Sequence, residues 1–414
     1  MAEVERGYIS DMHKNWKKNI ILFLASQNIS LFGSMLVQYA ITWYITLKTH
    51  SGVMMTISII CGFLPAFFIS PFAGVWADRY DRKLLIVLSD SLIAAATLIL
   101  GILFFMGYAS IWLLFAVSAI RALGSGIQTP AVSSFLPRLV PEDKLTRVNA
   151  TNSSIQSLVI LVSPMLSGAL LTMATIESIF FIDVITAAIA VLILLLFLHI
   201  PAHEKALKEQ TSDYFEDMLE GLSYINNHGF VKTLFIFCAS YFILIAPLTF
   251  LNSLQVTRSF GDDVWRLTAV QITYSVGMMA GGIVMSYWSG FKNKAHTMVL
   301  SILVIGISTF VLGIVPVFRI YLLFMALIGL ALPIFNTPFM VLLQQKVEEN
   351  FLGRVFGVLS MISSSILPLV MLIYGPAADL IRIEHLFIGT GLLMFVQSLV
   401  MLGSKVLIEA GKPD

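Results

Sequence analysis

Long apolar runs alternate with short polar turns along the whole chain. A hydrophobic run of about 20 residues is long enough to cross a bilayer as a helix. Twelve such runs occur, which predicts an all-helical integral membrane protein with twelve transmembrane helices. We number them as spans one to twelve, with approximate bounds 20–47, 53–77, 84–106, 110–131, 149–172, 178–198, 233–256, 267–289, 297–315, 320–343, 355–375 and 385–407.

The longest polar stretch, residues 199–232, divides the spans six and six. We therefore expect an N-terminal six-helix bundle over 1–198, a linker over 199–232 and a C-terminal six-helix bundle over 233–414. Within the linker, apolar residues at helical spacing follow the potential caps Ser212 and Asp213, which predicts a short amphipathic helix on the cytoplasmic surface. The apolar positions are Tyr214, Phe215, Met218, Leu219, Leu222 and Ile225.

The two halves also repeat short sequences. Thr129-Pro130 in span four recurs as Thr337-Pro338 in span ten, and Gly74 maps at the same offset onto Gly282. After one gap, Arg147-Val148 aligns with Arg354-Val355. These matches predict a parallel duplication, with two pseudo-symmetric six-helix halves around a central path.

Composition and charge agree with a membrane protein. Hydrophobic residues make up 58% of the chain and charged residues 12%, against roughly a quarter charged in soluble domains. The first apolar run is too long for a signal-peptide core and lacks a small-residue cleavage site, so we expect it to be retained. A net charge of +1 does not favour nucleic-acid binding.

The basic residues are sorted by side of the membrane. With the amino terminus in the cytoplasm, 19 of the 25 Lys and Arg residues lie in inside segments, five lie outside, and Arg121 lies within a span. The positive-inside rule therefore predicts that both termini are cytoplasmic in a multi-pass plasma-membrane protein. Cys61 and Cys238 fall inside apolar runs, where we expect small hydrophobic side chains rather than a disulfide or metal ligands.

The turn between spans two and three concentrates charge in Gly74-Val75-Trp76-Ala77-Asp78-Arg79-Tyr80-Asp81-Arg82-Lys83. It resembles the major facilitator superfamily signature G-x-x-x-D-R-x-G-R-[RK], with Asp81 in place of the second glycine. The chain also resembles the macrolide-efflux type of drug:proton antiporters. The similar stretches are Gly62–Pro65, Arg121 with Thr129-Pro130, Glu216–Tyr224, Phe335–Pro338 and Leu352–Phe356.

The resemblance implies a conformational latch at this turn. Gly74 would let span two approach a neighbouring helix closely, and Asp78 would meet the positive end of span eleven, which we expect to begin near Gly353-Arg354. Such a contact would hold the cytoplasmic side closed in the outward-open state. Alternatively, the charges only obey the positive-inside rule. The predicted latch residues are Gly74, Asp78, Arg79, Arg82, Lys83 and Arg354.

Three charged residues inside spans are candidates for proton coupling. Arg121 resembles the fourth-helix arginine associated with coupling, and its alternative is a structural arginine bonded to backbone carbonyls. Asp90 and Asp183 could exchange protons, because a low dielectric favours the neutral form of a carboxylate. Their alternative is a helix-packing or interfacial role. We expect Asp379 and Glu384, in the outer loop after span eleven, to be solvated.

Other positions bear on mechanism more loosely. Span five has Ser163-Pro164 followed by Gly168, whereas antiporters of this kind carry a Gly-Pro pair, so the antiport signature is incomplete. Gly277, Gly281 and Gly282 in span eight have the small-residue spacing of helix packing. Polar residues in apolar surroundings are the candidates for substrate binding: Gln27, Gln38, Tyr39, Gln156, Gln271, Tyr274 and Asn336.

Signals for enzymes are close to absent. The chain has no phosphate-binding loop, and Pro201 breaks the helical spacing of His199 and His203, so we predict no cofactor, no metal and no enzyme activity. We expect a monomeric secondary transporter that exports small hydrophobic drugs against protons by rocking its halves. The alternative is an exporter of a siderophore, lipid or metabolite. A membrane enzyme or receptor would need catalytic residues or a large extramembrane domain.

Overall fold

The computed structural model describes residues 2–198, 214–288 and 290–412. Throughout these residues the secondary structure is helical without strands, so the predicted fold class is confirmed. The helices are α1 (Ala2–Thr49), α2 (Gly52–Arg79), α3 (Arg82–Phe105), α4 (Ile111–Leu139), α5 (Glu142–Met173), α6 (Ile176–Phe197), α7 (Tyr214–Asn227), α8 (Gly229–Phe260), α9 (Val264–Trp288), α10 (Lys294–Leu312), α11 (Phe318–Lys346), α12 (Glu349–Leu380), α13 (Ile383–Gly403) and α14 (Lys405–Ala410).

Twelve of these helices, α1–α6 and α8–α13, are long and apolar enough to cross a membrane, which confirms the predicted number of spans. Several extend beyond their predicted bounds. α12 begins at Glu349 rather than near residue 355, for example. An apolar run marks only the part of a helix that lies in the hydrocarbon of the bilayer. The helix itself is longer because its backbone hydrogen bonds continue into the polar interface.

The chain forms two compact units. The first comprises residues 1–45 and 57–208, and the second comprises residues 46–56 and 209–414. The boundary near residue 208 lies inside the predicted linker. The short hairpin Thr46–Thr56 between α1 and α2 belongs to the second unit, which nothing in the sequence indicated.

The linker carries the 14-residue helix α7. Its predicted caps Ser212 and Asp213 lie outside the described residues. α7 packs on α12 and α8 within the second unit. The buried Gly221 faces the backbone of Arg354, and Glu220 pairs with the Arg354 guanidinium at 3.0 Å. The position of α7 on the membrane surface stays a prediction.

The first unit has a core in which α3 packs against α4 and α6. One end of this core is closed by an edge-to-face pair of Phe23 and Phe135, whose ring centroids lie 5.2 Å apart. Ile86 and Leu194 are fully buried beside them. Burying such a side chain contributes roughly 1.5–3 kcal/mol in water. In a bilayer it contributes shape complementarity instead, since lipid is equally apolar.

In the second unit, α9 and α11 approach so closely that their backbones touch. Cβ atoms added at Gly277 and Gly281 would collide with the backbone of α11 at Ala326 and Leu330. The predicted helix-packing role is therefore confirmed for Gly277 and Gly281. It is wrong for Gly282, where an added Cβ would have no described atom within 4 Å.

The last three membrane-spanning helices of the two halves correspond in spacing, and two of these pairs also match in length. α4 and α11 each contain 29 residues and α5 and α12 each contain 32. α4 begins at Ile111 and α11 at Phe318, α5 at Glu142 and α12 at Glu349, and α6 at Ile176 and α13 at Ile383, a constant offset of 207 residues. This regularity supports the predicted duplication.

Candidate functional site

Four helices of the first unit bring polar side chains together in a buried cluster. Positions four or seven residues apart face the same side of an α-helix, and the polar residues of this cluster have that spacing. Seven residues correspond to about 10 Å along a helix axis, so the cluster has two layers. Its members are Ser30 and Ser34 on α1, Asp90 and Thr97 on α3, Arg121 and Gln128 on α4, and Asp183 on α6.

The first layer is an ion pair between Arg121 and Asp183. Arg121 Nη1 donates to Asp183 Oδ2 and to Thr97 Oγ1, and Nη2 donates to the Ser34 carbonyl at 3.3 Å. The pair is almost fully enclosed, with side-chain exposures of 9% and 1%. A buried charge is tolerated when it is paired and hydrogen-bonded, and here each partner meets that condition.

α1 lies close to α6 at this layer because Gly33 has no side chain. A Cβ atom added at Gly33 would collide with Thr186 Oγ1 and Asp183. This close approach places Ser34 Oγ 3.5 Å from Asp183 Oδ1. Gly33 thus allows α1 to help surround the ion pair.

The second layer is built around Asp90. Its Oδ1 atom accepts hydrogen bonds from Ser30 Oγ at 2.6 Å and from Gln128 Nε2 at 2.8 Å. Its Oδ2 atom is buried and has no hydrogen-bond partner within the described parts of the chain. Asp90 is 1% exposed, and no described Lys, Arg or His pairs with it. The structure thus separates the two predicted carboxylates: Asp183 has a cation beside it, whereas Asp90 has only neutral donors.

Polar residues beside Asp90 extend this layer. Gln128 Nε2 also lies 3.5 Å from Gln27 Oε1, and Asn28 Nδ2 donates to Asn152 Oδ1 at 3.2 Å. Gln27 Nε2 is buried without a partner in the described structure. The predicted substrate residue Gln27 therefore lies next to the predicted proton residue Asp90.

The charged turn between α2 and α3 has bases that bind the ends of helices. Arg82 donates to the carbonyls of Ala77 at 2.7 Å and Ser134 at 2.8 Å, and Lys83 Nζ donates to the Leu198 carbonyl at 2.6 Å. The Ala77 oxygen lies in the last turn of α2, the Ser134 oxygen lies five residues before the end of α4, and Leu198 is the residue that ends α6. Cations are favoured near the carboxyl ends of helices, where the last carbonyls lack intrahelical partners.

The remaining predicted latch residues are less closely engaged. A Cβ atom added at Gly74 would have no described atom within 4 Å, and the role of Gly74 in the latch stays a prediction. The side chain of Asp78 lies outside the described structure, and its role stays a prediction. Arg79 is exposed. Arg354 pairs with Glu220 and stacks on Phe351, its guanidinium carbon 5.5 Å from the ring centroid.

The predicted substrate residues divide between the units. In the first unit, Tyr39 packs against Trp43 in a tilted arrangement with 5.7 Å between ring centroids, while Gln38 and Gln156 are exposed. In the second unit, Gln271 and Tyr274 are half-buried on α9 and Asn336 is exposed on α11. Their part in substrate binding stays a prediction. The described residues contain no group of His, Cys, Asp and Glu arranged to hold a metal.

The sequence analysis missed three members of the buried cluster and misjudged one carboxylate. Ser30, Thr97 and Gln128 complete the buried cluster, and the available signal was their two-turn or one-turn spacing from other polar residues in apolar spans. The expectation that Asp379 is solvated is wrong. It lies at the end of α12 and accepts hydrogen bonds from the hairpin between α1 and α2.

Comparison with known proteins decides the family. The Major Facilitator Superfamily profile matches residues 23–372. The chain belongs to this superfamily. The fold agrees: a POT family transporter, solved in complex with 5-aminolevulinic acid, superimposes with a TM-score of 0.71 at 15% identity, covering 93% of this chain and 96% of that one.

Two bacterial relatives of this superfamily member narrow the comparison. Macrolide efflux protein A of Streptococcus pyogenes is 29% identical over 392 residues, covering 94% of this chain and 96% of the relative. The Staphyloferrin A transporter of Staphylococcus aureus is 25% identical over 381 residues, covering 88% and 91%. The protein is therefore a membrane transporter rather than an enzyme, and it resembles macrolide-efflux proteins along nearly its whole length.

Proposed function

We propose that this transporter exports hydrophobic drugs, macrolides first among them, in exchange for protons. The substrate class rests on one observation, the similarity to Macrolide efflux protein A over nearly the full length of both chains. The absence of a phosphate-binding loop in the sequence supports an ion gradient rather than ATP as the direct energy source.

We infer that Asp90 is the residue that carries the proton. Arg121 and Asp183 cancel one another's charge, so an ionised Asp90 would leave one uncompensated negative charge in the buried cluster. Such a charge is costly in a low dielectric unless it is neutralised. The Oδ2 atom is buried and has no described partner, so it is the oxygen on which a proton would sit.

In this mechanism a proton from the outside forms an O–H bond at Asp90 Oδ2 and neutralises the carboxylate. The same bond breaks when the site is open to the cytoplasm, and the proton leaves as the carboxylate regains its charge. Ser30 and Gln128 hold the other oxygen in both steps. The Arg121–Asp183 pair keeps α4 and α6 in position beside α3.

Orientation and gating follow from the charge distribution. The predominance of bases in inside segments supports cytoplasmic termini, so protons would move inward while drugs move outward. Gly74, Asp78, Arg79, Arg82, Lys83 and Arg354 would act at the cytoplasmic side during alternating access. The polar residues Gln27, Gln38, Tyr39, Gln156, Gln271, Tyr274 and Asn336 would contact the substrate, with the chain acting as a monomer.

A second candidate function is siderophore export. The similarity to the Staphyloferrin A transporter favours it, although the identity is lower than for the macrolide-efflux relative. The two candidate functions differ in the substrate that the protein would export. Transport of the two substrates therefore separates the candidates.

The decisive experiment measures accumulation of a radiolabelled macrolide and of a lipophilic dye in pump-deficient bacteria that express the chain. Both should accumulate less than in empty cells, and a protonophore should restore them to the control level. Unchanged accumulation with the protein present in the membrane would reject drug export. A radiolabelled siderophore in the same cells tests the alternative.

Asp90→Asn tests the proton carrier. The amide retains the shape of the carboxylate but cannot exchange a proton, so export against a gradient should fall to the level of empty cells. Asp263→Asn is the matched control, because the Asp263 side chain is 54% exposed and pairs with Arg266 near the start of α9. Retention of protonophore-sensitive export by Asp90→Asn would reject the role of Asp90 while leaving the substrate class intact.

A further inference from the structure

The hairpin between α1 and α2 is held at its tip by a second-unit carboxylate. Asp379 uses both oxygens: Oδ1 accepts from the Gly52 amide at 2.7 Å, and Oδ2 accepts from the Val53 amide at 2.9 Å and from Ser51 Oγ at 2.7 Å. These groups form the start of α2, whose first turn contains no acidic residue. Asp379 thus supplies the negative charge that the amino end of a helix favours.

Arg258 on α8 joins the same contact. Its Nη2 atom lies 2.7 Å from Asp379 Oδ1 and 2.5 Å from the His50 carbonyl, Nε donates to that carbonyl at 3.2 Å, and Nη1 donates to the Ala378 carbonyl. One guanidinium therefore links α8, the end of α12 and the hairpin. Charge-assisted hydrogen bonds of this kind are among the stronger polar contacts in proteins.

The hairpin has a strained backbone and a tight packing contact. His50 has a φ of 49°, in the left-handed region that non-glycine residues seldom occupy. Such conformations persist when surrounding contacts hold them, and they concentrate at switch regions. Below the tip, Gly52 packs against the carbonyl of Gly375, and Thr56 Oγ1 donates to the Met371 carbonyl at 3.0 Å.

We propose that Asp379 and Arg258 form an outer anchor that holds residues 50–53 in one state of the transport cycle and releases them in the other. The hairpin belongs to the second unit, yet it continues into helices of the first unit on both sides. Alternating access requires the two halves of such a transporter to move against one another. Polar bonds that are partly open to water, with Arg258 and Asp379 side chains 27% and 25% exposed, suit repeated breaking and reforming.

The anchor is independent of the transported substrate and of the coupling ion. Its test is therefore a distance measurement that needs neither. Spin labels are placed at Val53→Cys and Ile314→Cys, which are 37% and 55% exposed, after Cys61→Ser and Cys238→Ala remove the native thiols. Val53 contributes only its amide to the anchor, so the label leaves that bond intact. Pulsed electron resonance on the full chain in lipid nanodiscs reports the distances.

We expect a short distance for the anchored hairpin and a longer one for the released hairpin. Asp379→Asn should raise the ratio of long to short populations about tenfold, because one charge-assisted hydrogen bond changes an equilibrium by about that factor. Arg258→Gln should shift the populations in the same direction and serves as the second variant if Asp379→Asn is poorly folded.

Glu384→Gln is the matched control. Glu384 is an outer carboxylate near Arg382 and Ser259, and it takes no part in the anchor. Its distance distribution should equal that of the labelled parent. A single unchanged distance in the parent and in whichever of the two anchor variants remains monodisperse would show a permanent clamp and overturn the proposal. If macrolide transport fails while the distances shift, only the proposed substrate is wrong.

Discussion

Arg121 on α4 and Asp183 on α6 lie 62 residues apart in the sequence and form a buried ion pair. The pair joins two helices that the chain does not connect directly, and Thr97 and Ser34 bind the same guanidinium from α3 and α1. Four of the six spans of the first half thus meet at one charge pair. This arrangement leaves Asp90 as the buried carboxylate of the cluster without a described cation beside it.

Replacing one residue of this pair should destabilise the protein more than replacing both. Arg121→Leu or Asp183→Leu alone leaves an uncompensated buried charge, and we expect each to lower the free energy of unfolding by roughly 3–5 kcal/mol. The double variant removes both charges of the pair, so neither is left without its partner, and it should recover most of that loss. Thermal unfolding of purified protein in one detergent, followed by tryptophan fluorescence, measures the three variants. The prediction would be contradicted if the double variant lost as much free energy of unfolding as the two single variants together.

The two neighbouring arginines of the charged turn should differ in their contribution to stability. Arg82→Gln removes charge-assisted bonds to the ends of α2 and α4, and we expect a loss of about 1–2 kcal/mol, since the group is only partly buried. Arg79→Gln is the control, because Arg79 is exposed and contacts no described partner. The measurement is the midpoint temperature of thermal unfolding. Equal midpoints for the two variants would refute the stabilising role of the Arg82 hydrogen bonds.

Adjacent glycines on α9 offer a second matched comparison. Gly281→Val places two methyl groups against the backbone of α11, and we expect a cost of about 1–3 kcal/mol from overpacking. Gly282→Val points into open space, so its effect should be limited to that of a valine in a helix. The fraction of monodisperse protein after heating, read by size-exclusion chromatography, compares them. Similar losses of monodisperse protein in the two variants would show that the contact between α9 and α11 does not determine the effect of Gly281→Val.

Helix α7 should detach from α12 when Gly221 is replaced. An added Cβ would already lie 3.1 Å from the Arg354 carbonyl and 3.2 Å from Arg354 Cβ, so Gly221→Leu leaves no room for the side chain. We expect limited proteolysis within residues 214–227 to become several-fold faster. Gly229→Leu provides the comparison, since no described atom lies within 4 Å of an added Cβ there. Equal cleavage rates in the two variants would refute the docking of α7.

The sequence by itself determined the twelve spans, the division into two halves and the charged turn. Each of these depends on local properties: the length of an apolar run, a polar interruption, or a repeated short motif. The spacing between α4–α6 and α11–α13 is within one residue of the offset between Thr129-Pro130 and Thr337-Pro338. Local patterns sufficed because a bilayer requires each span to satisfy its own backbone hydrogen bonds.

Only the tertiary structure decided which polar residues meet. Asp90 and Asp183 looked equivalent in the sequence, yet packing brought Arg121 to one of them and neutral donors to the other. Gly281 and Gly282 are adjacent in the chain, but only one faces α11. Asp379 looked like a loop carboxylate until the hairpin of α1 and α2 was placed against it. The physical reason is common to all three cases: contacts between helices depend on rotation and separation, which residues distant in the chain set together.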